Sequence, residues 1–320
     1  MFKLKTSVVF AAVLSCQLLP GLASAELKTQ EVEYKQGTTV LQGFLAWDDA
    51  VKGKRPGVLV IHEWWGHNEH AREQARRLAK AGYVGFAIDM FGKGKLATHP
   101  ADAKAFTAEA TATPAIEKGR FDAALAVLKK RPEVNAKQIG AIGYCFGGGV
   151  ALDMARAGEP LAFVATFHGS LAAKEAAKKG AIKPRLLILA GADDPMVGKD
   201  AVAAFKEEMN AAGAKYEVIE YPGAKHGFTN PDAGKFGIPG LEYNAKADQE
   251  SFAALQKLLT DTFGAPKTAA AAPAVAAPAS AATTAAPVGA APAAAPAAPA
   301  PKPTAAPAPK PAAAPAPKAP

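Results

Sequence analysis

Cysteine is almost missing from this chain: Cys16 and Cys145 are the only two in 320 residues. Cys16 falls in a leader expected to be cleaved, which leaves Cys145 alone, so no intramolecular disulfide is expected. Long apolar runs are missing as well. No stretch reaches the roughly 18 uninterrupted apolar residues a membrane helix needs, so no membrane span is expected. Acidic side chains are absent from both ends. With the ends set aside, Glu26 to Gly264 carries 31 basic residues against 29 acidic ones, a net of +2. The chain's +8 thus belongs to its ends, and nucleic acid is not expected as a partner of the core.

The ends have their own character. Lys3 and Lys5 precede an apolar run from Val8 to Leu14, and Ala23, Ser24 and Ala25 supply small residues for cleavage. Residues 1–25 therefore read as a signal peptide, with export to a bacterial periplasm expected. A minor alternative is a lipoprotein attached through Cys16. Residues 265–320 hold 15 of the 26 prolines and four lysines in an otherwise alanine-rich tract. Proline at that density breaks helix, and no large side chain is present to bury, so a disordered tail is expected. It reads as a solubilising spacer, with a tether whose lysines touch an anionic envelope surface as the alternative.

Residues 26–264 read as one α/β domain. A hairpin over 28–35 and 38–46 turns at Gln36-Gly37. Gly57 to Ile61 is a continuous apolar run, as in a strand buried on both faces. A helix at 69–81 places Ala71, Ala75, Leu78 and Ala79 on one side. Strands at 83–88, 139–143, 162–167, 185–190 and 216–221 alternate with helices at 117–130, 147–157, 199–212 and 244–262. That alternation predicts a mostly parallel central sheet covered by helices on both faces, preceded by an antiparallel hairpin.

The chemistry concentrates in Gly143-Tyr144-Cys145-Phe146-Gly147, between a buried strand and a helix. This is the nucleophile-elbow pattern with cysteine as the nucleophile. So sharp a turn needs neighbours without bulk, which the two glycines provide. It lifts Cys145 to a helix N-terminus, where the dipole favours thiolate, and leaves the Phe146 amide facing a developing oxyanion. A base and an orienting acid should follow in order. Asp193 and Asp194 both lie just past the strand ending at Ala190, and Asp194 is preferred for the turn at Pro195 to Val197. His226 sits in a glycine-flanked loop after the next strand. Glu63, followed by Trp64 and Trp65 at a strand end, sits in a setting of low polarity that suits proton transfer. His62 and His168, also at strand ends, are candidates for the pocket wall. Histidine and cysteine do not cluster at ligand spacing, so neither metal nor cofactor is expected.

Four segments, His62 to Gly66, Gly143 to Gly148, Gly191 to Asp194 and Gly223 to Phe228, together resemble the dienelactone hydrolase family of α/β-hydrolases over residues 30–263. The resemblance implies a single α/β-hydrolase domain and a Cys145–Asp194–His226 triad. It also implies a Glu63 that contacts the resting thiol, and a Trp64 amide as second oxyanion donor beside Phe146. Family members that open dienelactones hold the substrate carboxylate with arginines, one of them shortly after the histidine. Here Gly227 to Asn230 contains none, and Lys93, Lys95 and Lys104 are the cations available. Trp64, Trp65 and Phe146 suit an apolar or aromatic group.

The expectation is an exported hydrolase that cleaves a small-molecule ester or lactone through an acyl-thiol intermediate. The alternative is a non-catalytic envelope module that keeps the fold as a scaffold.

Overall fold

The computed structural model describes residues 27–266. The 1–25 leader lies outside them, as does the tail beyond residue 266. Strands β1 (Leu27–Gln36) and β2 (Thr39–Asp48) form the expected hairpin, pairing antiparallel from Leu27–Asp48 to Gln36–Thr39. Then follow β3 (Arg55–Ile61), α1 (Glu69–Lys80), β4 (Val84–Ile88), α2 (Pro100–Ala110), α3 (Pro114–Lys129) and β5 (Val134–Tyr144). The chain continues through α4 (Phe146–Arg156), β6 (Phe163–Phe167), β7 (Arg185–Gly191), α5 (Lys199–Ala212), β8 (Tyr216–Tyr221) and α6 (Ala245–Phe263). The eight strands make one sheet in the order β1-β2-β4-β3-β5-β6-β7-β8, parallel from β4 to β8.

The two faces carry separate cores. Along β3, Val58 and Val60 point to one side and Leu59 and Ile61 to the other, as the period of a strand requires. Val58 and Val60 join Leu78 of α1 and Leu255 and Leu259 of α6. Leu59 and Ile61 join Phe121 and Leu128 of α3, Val150 and Met154 of α4, and Phe205 and Met209 of α5. Each fully buried Leu, Val or Phe contributes roughly 1.5–3 kcal/mol, so this double burial fixes the sheet's register and holds its strand ends still.

The helices begin where side chains can cap them. Asn68 accepts from the Ala71 amide ahead of α1, Thr113 from Ile116 ahead of α3, and Asn244 from Ala247 ahead of α6. Three features depart from the expected pattern. Helix α2 is additional, and α3 starts at Pro114 rather than 117. In α2 only Ala103 and Ala110 are buried, so no apolar stripe marks it. Strand β5 starts at Val134 because Val134 pairs with Arg55. Pairing then resumes at Ile139 opposite Gly57, leaving the polar stretch 135–138 out of register with β3.

Candidate active site

Every candidate side chain follows the carboxyl end of a parallel strand, where clefts open in sheets of this type. Glu63 follows β3, Cys145 follows β5, Asp194 follows β7 and His226 follows β8.

Cys145 has φ 50° and ψ −115°, a left-handed backbone that an L-residue adopts only when its surroundings force it. Gly143 and Gly147 allow it. A Cβ on Gly143 would lie 2.0 Å from the Gly147 carbonyl oxygen, and one on Gly147 would lie 2.4 Å from that of Ile61. Strand, elbow and helix are thus in backbone contact. The Cys145 amide donates to the Phe167 carbonyl at 3.1 Å, anchoring the turn to β6.

The thiol, half-buried, meets His226: Nε2 to Sγ is 3.1 Å. On the far side of the ring, Nδ1 donates to Asp194 Oδ2 at 2.8 Å. The other Asp194 oxygen accepts from the amides of Met196 and Val197 at 2.7 and 3.1 Å, so the carboxylate is fully engaged and has one orientation. Asp193 is exposed. Burial disfavours a charged His226, but the Cys145 sulfur and the Asp194 hydrogen bond outweigh it and push the imidazole up to about 10. His226 is therefore protonated at neutral pH.

The two amides expected to receive the oxyanion, of Phe146 and Trp64, follow the ends of β5 and β3. Phe146 is the first residue of α4, so its N–H has no carbonyl one turn earlier to bond. In the Glu63–Gly66 turn the Gly66 amide donates to the Glu63 carbonyl at 3.2 Å, which leaves the Trp64 N–H outside the turn's bonding.

Glu63 differs from expectation. It is buried, but its Oε2 accepts from Asn230 Nδ2 at 2.7 Å and lies 3.7 Å from His70 Nδ1. Its setting is polar, and the resting thiol bonds to His226 instead. His62 and His168 also differ. Both are wholly buried and belong to the framework rather than to a pocket wall. His62 Nε2 accepts from the Met90 amide at 3.1 Å, and its Nδ1 bonds the Glu63 carbonyl. His168, at φ 41°, shares a 2.9 Å hydrogen bond with Thr229 Oγ1 and sets its ring edge-on to His226 at 5.1 Å. Burial, then the nearby His226, drives its imidazole well below the ordinary value, so a neutral ring backs the charged one. Trp65 is buried too, stacked on Phe236 at 3.8 Å, while Trp64 remains half-buried beside it.

Asn230 and Thr229 are functional neighbours that sequence reasoning passed over. The signal available was their place directly after His226-Gly227-Phe228. No group of three or more histidine, cysteine, aspartate or glutamate side chains suited to a metal occurs among the described residues.

Comparison with known proteins identifies the family and the fold. The dienelactone hydrolase family model matches residues 41–263. A crystal structure of a dienelactone hydrolase-like promiscuous phosphotriesterase from metagenomic libraries is 38% identical, with a TM-score of 0.72, covering 75% of this chain and all of its own. A Synechocystis protein named as a candidate carboxymethylenebutenolidase is 26% identical over 262 residues, covering 73% of this chain and 97% of its own. A Bradyrhizobium protein named for 2-oxo-3-(5-oxofuran-2-ylidene)propanoate lactonase is 29% identical over 188 residues, covering 56% of this chain and 75% of its own. With its mixed sheet, elbow and aligned Cys145 and His226, this chain belongs to the dienelactone hydrolase family and is a dienelactone hydrolase-like hydrolase of the α/β-hydrolase fold.

Proposed function

We propose that the protein hydrolyses an ester or lactone through a covalent acyl-thiol intermediate on Cys145. The observation that carries the proposal is the continuous chain from Sγ through the His226 ring to Asp194, at 3.1 and 2.8 Å. His226 Nε2, 3.1 Å from Sγ, takes the thiol proton as the sulfur acts as nucleophile. The sulfur attacks the carbonyl carbon, and the oxyanion is received by the amides of Phe146 and Trp64. Collapse breaks the C–O bond, and the departing alkoxide takes the proton from His226 Nε2, leaving a thioester. Water then attacks the thioester, giving its proton to His226, and the acid and the thiolate are released. Asp194 holds the ring in one tautomer throughout.

The family relatives support lactones and esters as the substrate class. The leader over 1–25 supports export to a periplasm, with 26–264 as the hydrolase domain and the Ala/Pro/Lys-rich composition of 265–320 supporting a spacer.

The test is hydrolysis of nitrophenyl acetate by the full chain and by its Cys145→Ala form. Turnover that disappears with the sulfur supports the reading; turnover that survives in the alanine form removes Cys145 from the mechanism.

A further inference from the structure

Among the described residues, two that are not glycine have a left-handed backbone, Cys145 at φ 50° and His168 at φ 41°. They follow neighbouring parallel strands, β5 and β6, and the two turns are bonded together. The Cys145 amide donates to the carbonyl of Phe167, the residue before His168. Such a backbone is strained for any residue with a Cβ and persists only where its surroundings hold it. Glycine would adopt it freely, so the strain at 168 comes with having a side chain there. Cys145 uses its side chain as the nucleophile. The steps of the reaction give His168 no such use.

The surroundings of His168 join three parts of the site. Its amide donates at 2.8 Å to the Leu189 carbonyl of β7, the strand that leads to Asp194. A Cβ on Gly169 would lie 2.8 Å from Gly148 Cα, so the chain here is pressed onto the first turn of α4. The side chain reaches the third part, the loop after β8. Its ring meets His226 at 5.1 Å and Phe228 at 5.2 Å, edge-on to both, and its Nε2 bonds Thr229 Oγ1 at 2.9 Å. His168 is 0% and Thr229 1% exposed, so water does not compete for that bond. Nδ1 is buried without a hydrogen-bond partner, so the proton of the neutral ring belongs on Nε2, donating to Thr229.

These contacts bear on what His226 has to do. Its Nε2 must face the sulfur, then the leaving oxygen, then water, each within reach of a hydrogen bond. Asp194 holds Nδ1, yet one hydrogen bond fixes a point and leaves the ring able to tilt about it. A second ring packed edge-on closes off that tilt on its own side. Because burial and the nearby His226 keep the His168 imidazole neutral, it does this without adding charge beside the base.

We infer that His168 is a positioning residue for the hydrolysis: bonded to Thr229 and packed on His226, it keeps the base's ring aimed at the sulfur. The inference rests on the proposed Cys145–His226 mechanism and adds to it a residue that, wholly buried, meets no substrate.

Nitrophenyl acetate kinetics on the full chain test this. A misplacement of about 1 Å costs on the order of a hundredfold in rate, and His168→Ala should lower kcat by about that factor. Thr229→Val removes the hydroxyl and leaves the His168 ring, so about a tenfold loss is expected. KM should change less than about twofold in both, because His226 acts in forming and in breaking the thioester. His168→Gln, whose amide N–H reaches close to the place of Nε2, should recover about tenfold over the alanine form. No loss, a loss carried by KM, or a glutamine form as slow as the alanine form overturns the inference. Should circular dichroism show the alanine form unfolded, Thr229→Val carries the same kinetic test. A second readout needs no turnover. In full-length Cys145→Ala protein, the His226 Nδ1 proton shared with Asp194 should give a downfield proton NMR signal. Adding Thr229→Val should make that proton exchange with water at least about tenfold faster. Unchanged exchange overturns the positioning role whether or not the sulfur is the nucleophile, so this inference and the mechanism can fail separately.

Discussion

Asn230 Nδ2 donates to Glu63 Oε2 at 2.7 Å, joining the loop that carries His226 to the loop that carries Trp64. The two loops lie 167 residues apart in sequence, and the bond is buried. It fixes the spacing between the base and one proposed oxyanion donor. Asn230→Ala removes the side-chain hydrogen-bond donor seen on this buried carboxylate among the described residues, leaving His70 Nδ1 at 3.7 Å. Urea unfolding should show a loss of roughly 1–3 kcal/mol, the cost of leaving such a group unsatisfied. Asn230→Asp sets a second carboxylate beside the first and should cost more. Equal stability of all three proteins would mean Glu63 has another partner.

The resting thiol contacts His226 and not Glu63, which decides what controls its reactivity. Alkylation of Cys145 by iodoacetamide near neutral pH should slow roughly tenfold or more in His226→Ala, because an unassisted thiol is only a few per cent thiolate there. Glu63→Gln should slow it far less. The reverse order, read by mass spectrometry of the labelled chain, would transfer control of the thiol to the glutamate.

His226 should titrate at about 10, against an ordinary 6.5. A raised value in the folded state means the native protein holds the proton more tightly than the unfolded chain does. The stability this gives is fully present below about 6.5 and is lost as pH rises through about 10. Because the Cys145 charge supplies much of the rise, Cys145→Ala should bring the imidazole down toward its ordinary value. It should also flatten the fall in stability over that pH range. Imidazole NMR titration and urea unfolding at several pH values measure the two effects. A midpoint that stays near 10 without the sulfur would leave Asp194 as the whole cause.

Much of this was legible in the sequence because the physics is local. Gly143, Cys145 and Gly147 can share a strand-to-helix turn only as an elbow, and Asp194 and His226 each follow a strand at a loop of turn-forming residues. Strand-helix alternation gave the parallel sheet for the same reason. What stayed hidden depends on distance. Nothing near Asn230 in the chain says that it meets Glu63, nor does anything near Thr229 point to His168. The histidines at residues 62 and 168 looked like pocket lining because strand ends usually border the cleft. Burial decided otherwise, and burial is a property of the whole fold. Helix α2 escaped notice because alanine is apolar on every side and draws no stripe.

Asp194→Asn tests the orienting role separately from folding. The amide is nearly the same shape and can still accept from the amides of Met196 and Val197. It cannot hold the His226 Nδ1 proton as a charged acceptor. In the best-studied triads this exchange lowers kcat by about ten-thousandfold while leaving geometry intact. A thiolate–imidazolium pair depends less on that acid, so a loss of at least about a hundredfold in nitrophenyl acetate turnover is expected, with unfolding midpoint little changed. Wild-type turnover in the asparagine form would remove Asp194 from the mechanism.

The elbow's two glycines give the sharpest structural test. Any side chain at 147 would place its Cβ 2.4 Å from the Ile61 carbonyl oxygen and 2.6 Å from that of His62. Both are backbone atoms in a sheet packed on two faces, so neither can move aside. Gly147→Ala should therefore cost about 4 kcal/mol or more, or prevent folding, since it forces β3 and α4 apart beneath the sulfur. Gly234, in the short 3-10 turn Ala233–Phe236, is the control: a Cβ there meets nothing within 4 Å. Gly234→Ala should leave stability within about 0.5 kcal/mol, or raise it slightly by restricting the unfolded chain. Thermal and urea unfolding of the two variants separate the outcomes. If both behave like the parent, strand and helix are not in contact at the elbow, and the strained backbone of Cys145 loses the support on which its reach toward His226 depends.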